Sequence, residues 1–232
     1  MLILAIDTAL DACAAGILDT DLGKLVAQES QIMKRGHAEA LMPLIARVMA
    51  NSGIPFGAID RIAVTTGPGS FTGLRVGISA ARGIGLAAER PVVGVTTLAA
   101  YAAPIVSQDA EHPVISAIDA RHDQLYFQVV SGNGGSLERP RVGPIAEAFG
   151  ALRHGAPHLV GNAAKLLADR WPADAPPPVT LNPQPAPDIA WVAWLGAAVD
   201  PDTATARPFY LRPPDAKPAI GILQKPSQPS PP

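Results

Sequence analysis

Apolar residues fill Leu2–Ile6 without a break and stop at Asp7. A short continuous apolar run, rather than an alternating one, predicts a strand covered on both faces. Ala12–Leu18 and Leu25–Ser30 follow as predicted strands on either side of the Asp19–Gly23 turn region, so the chain opens as a β-meander. The spacing then changes. Over Ala38–Ser52 the apolar residues Leu41, Leu44, Ile45 and Val48 recur at helical intervals, and Gly53 supplies a stop. Ile59–Thr65 reads as a strand, Thr72–Ala88 as a second helix and Val92–Val95 as another strand. Strand, helix and strand in this order predict a right-handed crossover and a mixed sheet.

The pattern then starts again. Ile115–Asp119 ends in Ala-Ile-Asp, as Ile3–Asp7 does, 112 residues earlier. Predicted strands Leu125–Val130 and Leu137–Val142 follow, separated by the turn Gly132–Gly135. After them come a predicted helix Ile145–Leu152, a strand His158–Val160 and a helix Ala163–Arg170. The repeat predicts two lobes on one β-β-β-α-β plan, 1–106 and 107–212. Asp188 can cap a last helix, Ile189–Val199, which is apolar almost all round and therefore expected to be buried. Most of the 25 prolines lie between Pro172 and Pro232. Residues 213–232 are accordingly expected to be extended or disordered.

Composition narrows the function. The 232 residues carry a net charge of -2, which argues against a protein whose own task is to grip a polyanion. Only 16% of residues are charged, so some surface is expected to be covered by a partner. Cys13 is the single cysteine, which excludes an internal disulfide and a thiolate metal cluster. No long apolar stretch is free of charge, and Asp7 interrupts the opening run. Neither a membrane span nor a signal peptide is expected, and the chain reads as cytoplasmic.

Gly67-Pro68-Gly69-Ser70-Phe71-Thr72-Gly73-Leu74-Arg75 is the sharpest motif. A glycine-rich turn entering a helix exposes amides that suit an anion, with Gly67, Gly69, Ser70 and Thr72 as candidate contacts. It is no P-loop, because no Gly-Lys-Ser/Thr follows, and Ser70 or Thr72 would serve equally well as a plain helix cap. Within the helix, Gly73, Gly77, Ala81 and Gly85 form a ridge of small residues. Each glycine costs a helix about 1 kcal/mol, so close packing is expected in return. A partner helix is the favoured occupant, with close packing onto this protein's own sheet as the plainer alternative. The first helix adds Met42, Ile45 and Met49 beside its core stripe, more apolar surface than one sheet needs. The candidate partner surface thus comprises His37, Leu41, Met42, Ile45, Met49, Gly73, Leu74, Gly77, Ile78, Ala81 and Gly85. Asp119-Ala120-Arg121 is either a surface ion pair or part of a contact between lobes. His154 and His158 stand four apart, but Gly155 and Pro157 oppose a helix there, so no metal site is expected.

Ile3–Thr8, His37–Pro43 and Gly67–Arg75 resemble the N-terminal signatures of the TsaB (YeaZ) family, and Asp119–Arg121, Gly161–Asn162 and Tyr210–Arg212 are similar to its downstream marks. Two departures stand out: Ala9 replaces a usual serine, and His122 stands where a second arginine is common. The resemblance implies an α/β fold of the actin-like/sugar-kinase (ribonuclease H-like) duplicated type, two lobes with the second shortened. In such folds an aspartate at the end of the first strand positions metal and phosphate, which makes Asp7 and Thr8 candidate nucleotide contacts. Capping a turn is the plainer role for Asp7. The resemblance further implies a non-catalytic subunit of the tRNA threonylcarbamoyladenosine machinery. It would act with a catalytic TsaD-like paralogue and a TsaE-like ATPase, dimerise when alone, meet tRNA only through the complex and hold no cofactor tightly, the ATP being used by the complex. TsaD-type proteins carry a metal-binding His-x-x-x-His where this chain has His37 and Leu41, so no catalytic residue is expected. An actin-like kinase or ATPase is the alternative, and a metallopeptidase is disfavoured by the same missing histidine.

Overall fold

The structure, a computed structural model, describes residues 1–212. The expectations for 213–232 lie outside the described residues. The elements are β1 (Leu2–Asp7), β2 (Ala12–Asp19), β3 (Lys24–Ile32), α1 (His37–Ser52), β4 (Arg61–Gly67), α2 (Phe71–Ala88), β5 (Val92–Thr96) and α3 (Thr97–Val106). The second half has β6 (Val114–Asp119), β7 (Gln124–Val130), β8 (Ser136–Pro144), α4 (Ile145–Ala148), β9 (His158–Val160), α5 (Ala164–Ala168), β10 (Thr180–Asn182) and α6 (Ile189–Ala198).

The two halves form two five-stranded mixed sheets. The first runs β3-β2-β1-β4-β5 and the second β8-β7-β6-β9-β10. In each, the central strand pairs antiparallel with the next strand of its meander and parallel with the first crossover strand. The duplicated plan expected from the Ala-Ile-Asp repeat is therefore present, and the architecture is the actin-like, sugar-kinase-like α/β fold of two lobes.

Local chemistry explains the element ends. Gly53 closes α1 in a left-handed conformation, φ 67°, as the sequence predicts. Ser70 caps α2 by accepting from the Gly73 amide at 3.3 Å, and Asp188 caps α6 through the Ala190 amide at 2.9 Å. The expected helix Ile145–Leu152 is shorter: α4 stops at Ala148, and residues 149–154 tighten into a 3₁₀ turn. The expected helix Ala163–Arg170 reduces to α5.

α1 and α2 cover one face of the first sheet, where Leu41, Leu44, Ile45, Leu74 and Ile78 meet Leu4, Ile6, Ile62 and Val64. α6 covers the other face, with Ile189, Val192 and Ala193 against Ile3, Ala5, Ala63 and Val93. The last helix among the described residues thus completes the core of the first sheet. α3, which the periodicity does not reveal, joins the sheets: Leu98, Tyr101 and Ala102 share a core with Val114, Ile118 and Val160. The far face of the second sheet is closed by Ile145, Ala148, Ala164 and Leu167 around Phe127 and Leu125.

Candidate functional site

β1 and β6 both end at a cleft of about 770 Å³ between the sheets. The first lobe supplies Leu10 and Asp11 from the turn after β1, Lys34 and Arg35 before α1 with His37 at its start, and Gly69 and Ser70 before α2 with Phe71 at its start. The second lobe adds Ile118–Arg121, Tyr126 and Asn162, and the returning chain adds Tyr210 and Arg212. Among the described residues lining the cleft, Lys34, Arg35 and Arg121 stand with Asp11 and Asp119, so this lining is locally cationic in a chain of net charge -2. A concave cationic site draws anions more strongly than an open surface does.

The glycine motif lies directly on the end of β1. A Cβ on Gly69 would collide with the Ala9 carbonyl, and one on Gly73 with the Thr8 carbonyl. Ser70 N donates to Ala9 O at 2.7 Å, and Thr8 Oγ1 donates to Gly73 O at 2.7 Å. The motif is glycine-rich because two backbones touch. Of the six residues considered for phosphate contact, Gly69 and Ser70 line the cleft. Asp7, Thr8 and Gly67 are buried beneath its floor, and Thr72 is exposed on the first turn of α2 away from it.

Asp7 is fully buried. Its Oδ1 accepts from Thr65 Oγ1 at 2.5 Å and from Ala9 N at 3.0 Å, whereas Oδ2 has no partner among the described residues. Burial pushes its carboxyl above the ordinary carboxylate range despite these bonds. Burial likewise pushes the Cys13 thiol up to about 11, so this cysteine is inert core.

Asp119 and Arg121 meet through the backbone, the Arg121 amide donating to Asp119 Oδ1 at 2.7 Å. Both residues line the cleft, and this segment is bonded to Asn162 and Arg212, on the second lobe's side. Arg121, His122 and Asp123 all have positive φ, at 63°, 52° and 57°, conformations that cost non-glycine residues roughly 1–3 kcal/mol each. Asn162 ties β9 to β6 by accepting from the Asp119 amide at 2.9 Å. Two motifs remote in sequence close one side of the cleft. Phe71 stacks on Tyr210 with centroids 5.5 Å apart, and the Arg75 guanidinium lies 3.8 Å from the Phe71 centroid. Sequence reasoning missed this contact, although both segments had been marked by the family resemblance.

The eleven residues considered for the partner surface divide unevenly. Met42 is half exposed, and the other ten, from His37 and Leu41 to Ala81 and Gly85, are buried within the single chain. The ridge of small residues faces this protein's own sheet: a Cβ on Gly77 would strike Thr8 Oγ1, and one on Gly85 would strike Val92. Close packing was correctly expected, but it lies inside the fold. The outward faces of α1 and α2 instead carry Met42, Pro43, Ala46 and Ala50, and Ser79, Gly83 and Leu86, the last 83% exposed.

Residues 26–175, more than half of the chain, match the family model described as TsaD, tRNA N6-adenosine threonylcarbamoyltransferase. The solved structure titled YeaZ from Pseudomonas aeruginosa superposes with a TM-score of 0.72 at 27% identity, covering 90% of this chain and 99% of that one. The tRNA threonylcarbamoyladenosine biosynthesis protein TsaB of Haemophilus influenzae is 34% identical over 128 residues, 55% of this chain and 53% of that protein. This chain belongs to the TsaB/YeaZ family. It spans about half the length of the curated TsaB proteins it matches first. An uncharacterized protein of Mycobacterium bovis is 32% identical over 93% of this chain and 94% of its own length. Among the described residues of this TsaB-family chain, no helix is long and apolar enough to cross a membrane.

One further cluster lies outside the cleft. His158 was considered with His154; the structure sets it beside Asp109 and His112 instead.

Proposed function

We propose that this chain is a non-catalytic scaffolding and activating subunit in the biosynthesis of threonylcarbamoyladenosine in tRNA. In this reading it binds and stabilises a TsaD-like catalytic paralogue, works in the cytoplasm with a TsaE-like ATPase, and reaches tRNA only through the assembly. ATP is used by the complex. The observation that carries the reading is at the start of α1. Leu41, standing where the catalytic paralogue's second metal histidine is expected, is 1% exposed in the core, and the ring of His37 is engaged by Leu10 O at 3.0 Å. The outer faces of α1 and α2 supply the docking surface, and in the absence of the paralogue a second copy of this chain takes its place. Their exposed residues Met42, Ala46 and Leu86 are apolar, and a partner surface is where such side chains leave water.

The experiment is association and reconstitution with Met42→Glu/Ala46→Glu. A carboxylate buried without a counter-ion costs several kcal/mol, so association should weaken by roughly a hundredfold or more while circular dichroism stays unchanged. Modification of tRNA by the reconstituted components should fall with it. Normal association of the folded variant would move the interface elsewhere.

The cationic cleft favours a second reading, an actin-like kinase or ATPase, because Lys34, Arg35 and Arg121 suit phosphate. Calorimetry on the isolated chain separates the two: weak ATP binding fits the subunit, and sub-micromolar binding with phosphotransfer fits the kinase.

A further inference from the structure

Asp109, His112 and His158 converge at the end of the second sheet opposite the cleft. His112 lies just before β6, whose other end is Asp119 in the cleft, ~17 Å along the strand at the usual rise per residue. Asp109 Oδ2 is 2.9 Å from His112 Nδ1 and 3.0 Å from His158 Nε2. The ligand atoms of all three side chains lie within 4.8 Å of one another.

Each group is held for this arrangement. Asp109 follows α3, and its Oδ1 accepts from the amides of Glu111 and His112 at 2.8 and 3.2 Å, which leaves Oδ2 aimed at the two imidazoles. These two amide bonds fix the orientation of the carboxylate. His158 opens β9 and is buried, and its Nδ1 is 2.8 Å from Thr180 Oγ1 on β10. A hydroxyl on the far nitrogen orients an imidazole as the outer partners of metal-bound histidines do. His112 is about a third exposed, which leaves the fourth direction open to water.

We propose that Asp109, His112 and His158 form a zinc-type divalent metal site, with water as fourth ligand, that clamps the α3–β6 loop to the β9–β10 edge of the second sheet. Two imidazoles and one carboxylate, without sulfur, suit zinc and disfavour magnesium or calcium. Around a tetrahedral ion with bonds near 2.0–2.1 Å, neighbouring ligand atoms stand about 3.3 Å apart, so the carboxylate–imidazole pairs need open by only a few tenths of an ångström. The distance from the cleft makes the role structural.

The test uses the full chain without a polyhistidine tag, stripped with chelator and then titrated with Zn²⁺ by calorimetry and with Co²⁺ by visible absorption. One ion per chain, Co²⁺ bands of tetrahedral strength and a raised thermal midpoint are expected. His112→Ala removes a surface ligand, and Asp109→Asn keeps the turn while removing the charge; each should weaken binding at least tenfold in a folded protein. Thr180→Val, which reaches only the far nitrogen of His158, should weaken it by roughly tenfold. His154→Ala should bind as the parent does. Absence of saturable binding of both ions overturns the proposal, as does binding unchanged in both His112→Ala and Asp109→Asn.

Discussion

Asp7 and Asp119 stand at the ends of equivalent strands, and each accepts a hydrogen bond from the amide two residues on, Ala9 at 3.0 Å and Arg121 at 2.7 Å. The duplication has kept the turn and changed its surroundings. Asp7 is sealed under the glycine motif, whereas Asp119 lines the cleft with Arg121. One turn now braces the first lobe, and the other presents charge to whatever enters between the lobes.

Burial of Asp7 predicts a specific pH dependence. Because its folded pKa is raised, the folded state keeps the proton that the unfolded chain releases near pH 4. Stability is therefore undiminished by this group below the unfolded value and is lost as pH rises through the folded one. Asp7→Asn removes that slope. Urea unfolding of both proteins should show the variant gaining stability relative to the parent as pH rises from 4 to 8. A difference constant across that range would mean that Asp7 is ionised without cost.

Two glycines of α2 should respond oppositely to the same change. Gly77→Ala drives a Cβ into Thr8 Oγ1, a buried hydroxyl engaged with Gly73 O, and should destabilise by about 1–3 kcal/mol. Gly83 has open space around it on the outer face, so Gly83→Ala should stabilise by about 0.5–1 kcal/mol through helix propensity. Thermal denaturation of the pair checks both signs. Gly77→Arg should fail to fold, which makes it useless as an interface probe.

Arg61 holds α6 to the first sheet. Its Nη1 donates to Gly196, Ala197 and Val199 carbonyls at 2.9, 3.1 and 2.8 Å, the C-terminal end of α6. Arg61→Ala leaves three carbonyls without this donor and should cost about 2–4 kcal/mol. Hydrogen exchange should then show α6 opening before α1 and α2. Uniform exchange across these helices would assign the helix's attachment to Ile189, Val192 and Ala193 alone.

The succession of strands from β1 to β9, the two-lobe repeat and the limits of α1, α2 and α6 could be read directly, because each follows from local spacing: the run Leu2–Ile6, the stripe from Leu41 to Val48, the stop at Gly53, the echo at Ile115–Asp119. α3 escaped because Thr97–Val106 is apolar on every side, as a layer between two sheets must be, and periodicity is blind to such a segment. The site was half legible. Gly69 and Ser70 were marked by their motif, whereas Phe71 with Tyr210, and His158 with Asp109, are pairs that only chain closure brings together. The ridge of Gly73, Gly77, Ala81 and Gly85 shows the division most plainly. By itself the sequence determined that something approaches that face closely, since four small residues on one stripe admit it. That the approaching surface is the end of β1 and its neighbours, and not another protein, was decided by the tertiary structure, because helical period defines a face and only packing in three dimensions supplies what fills it.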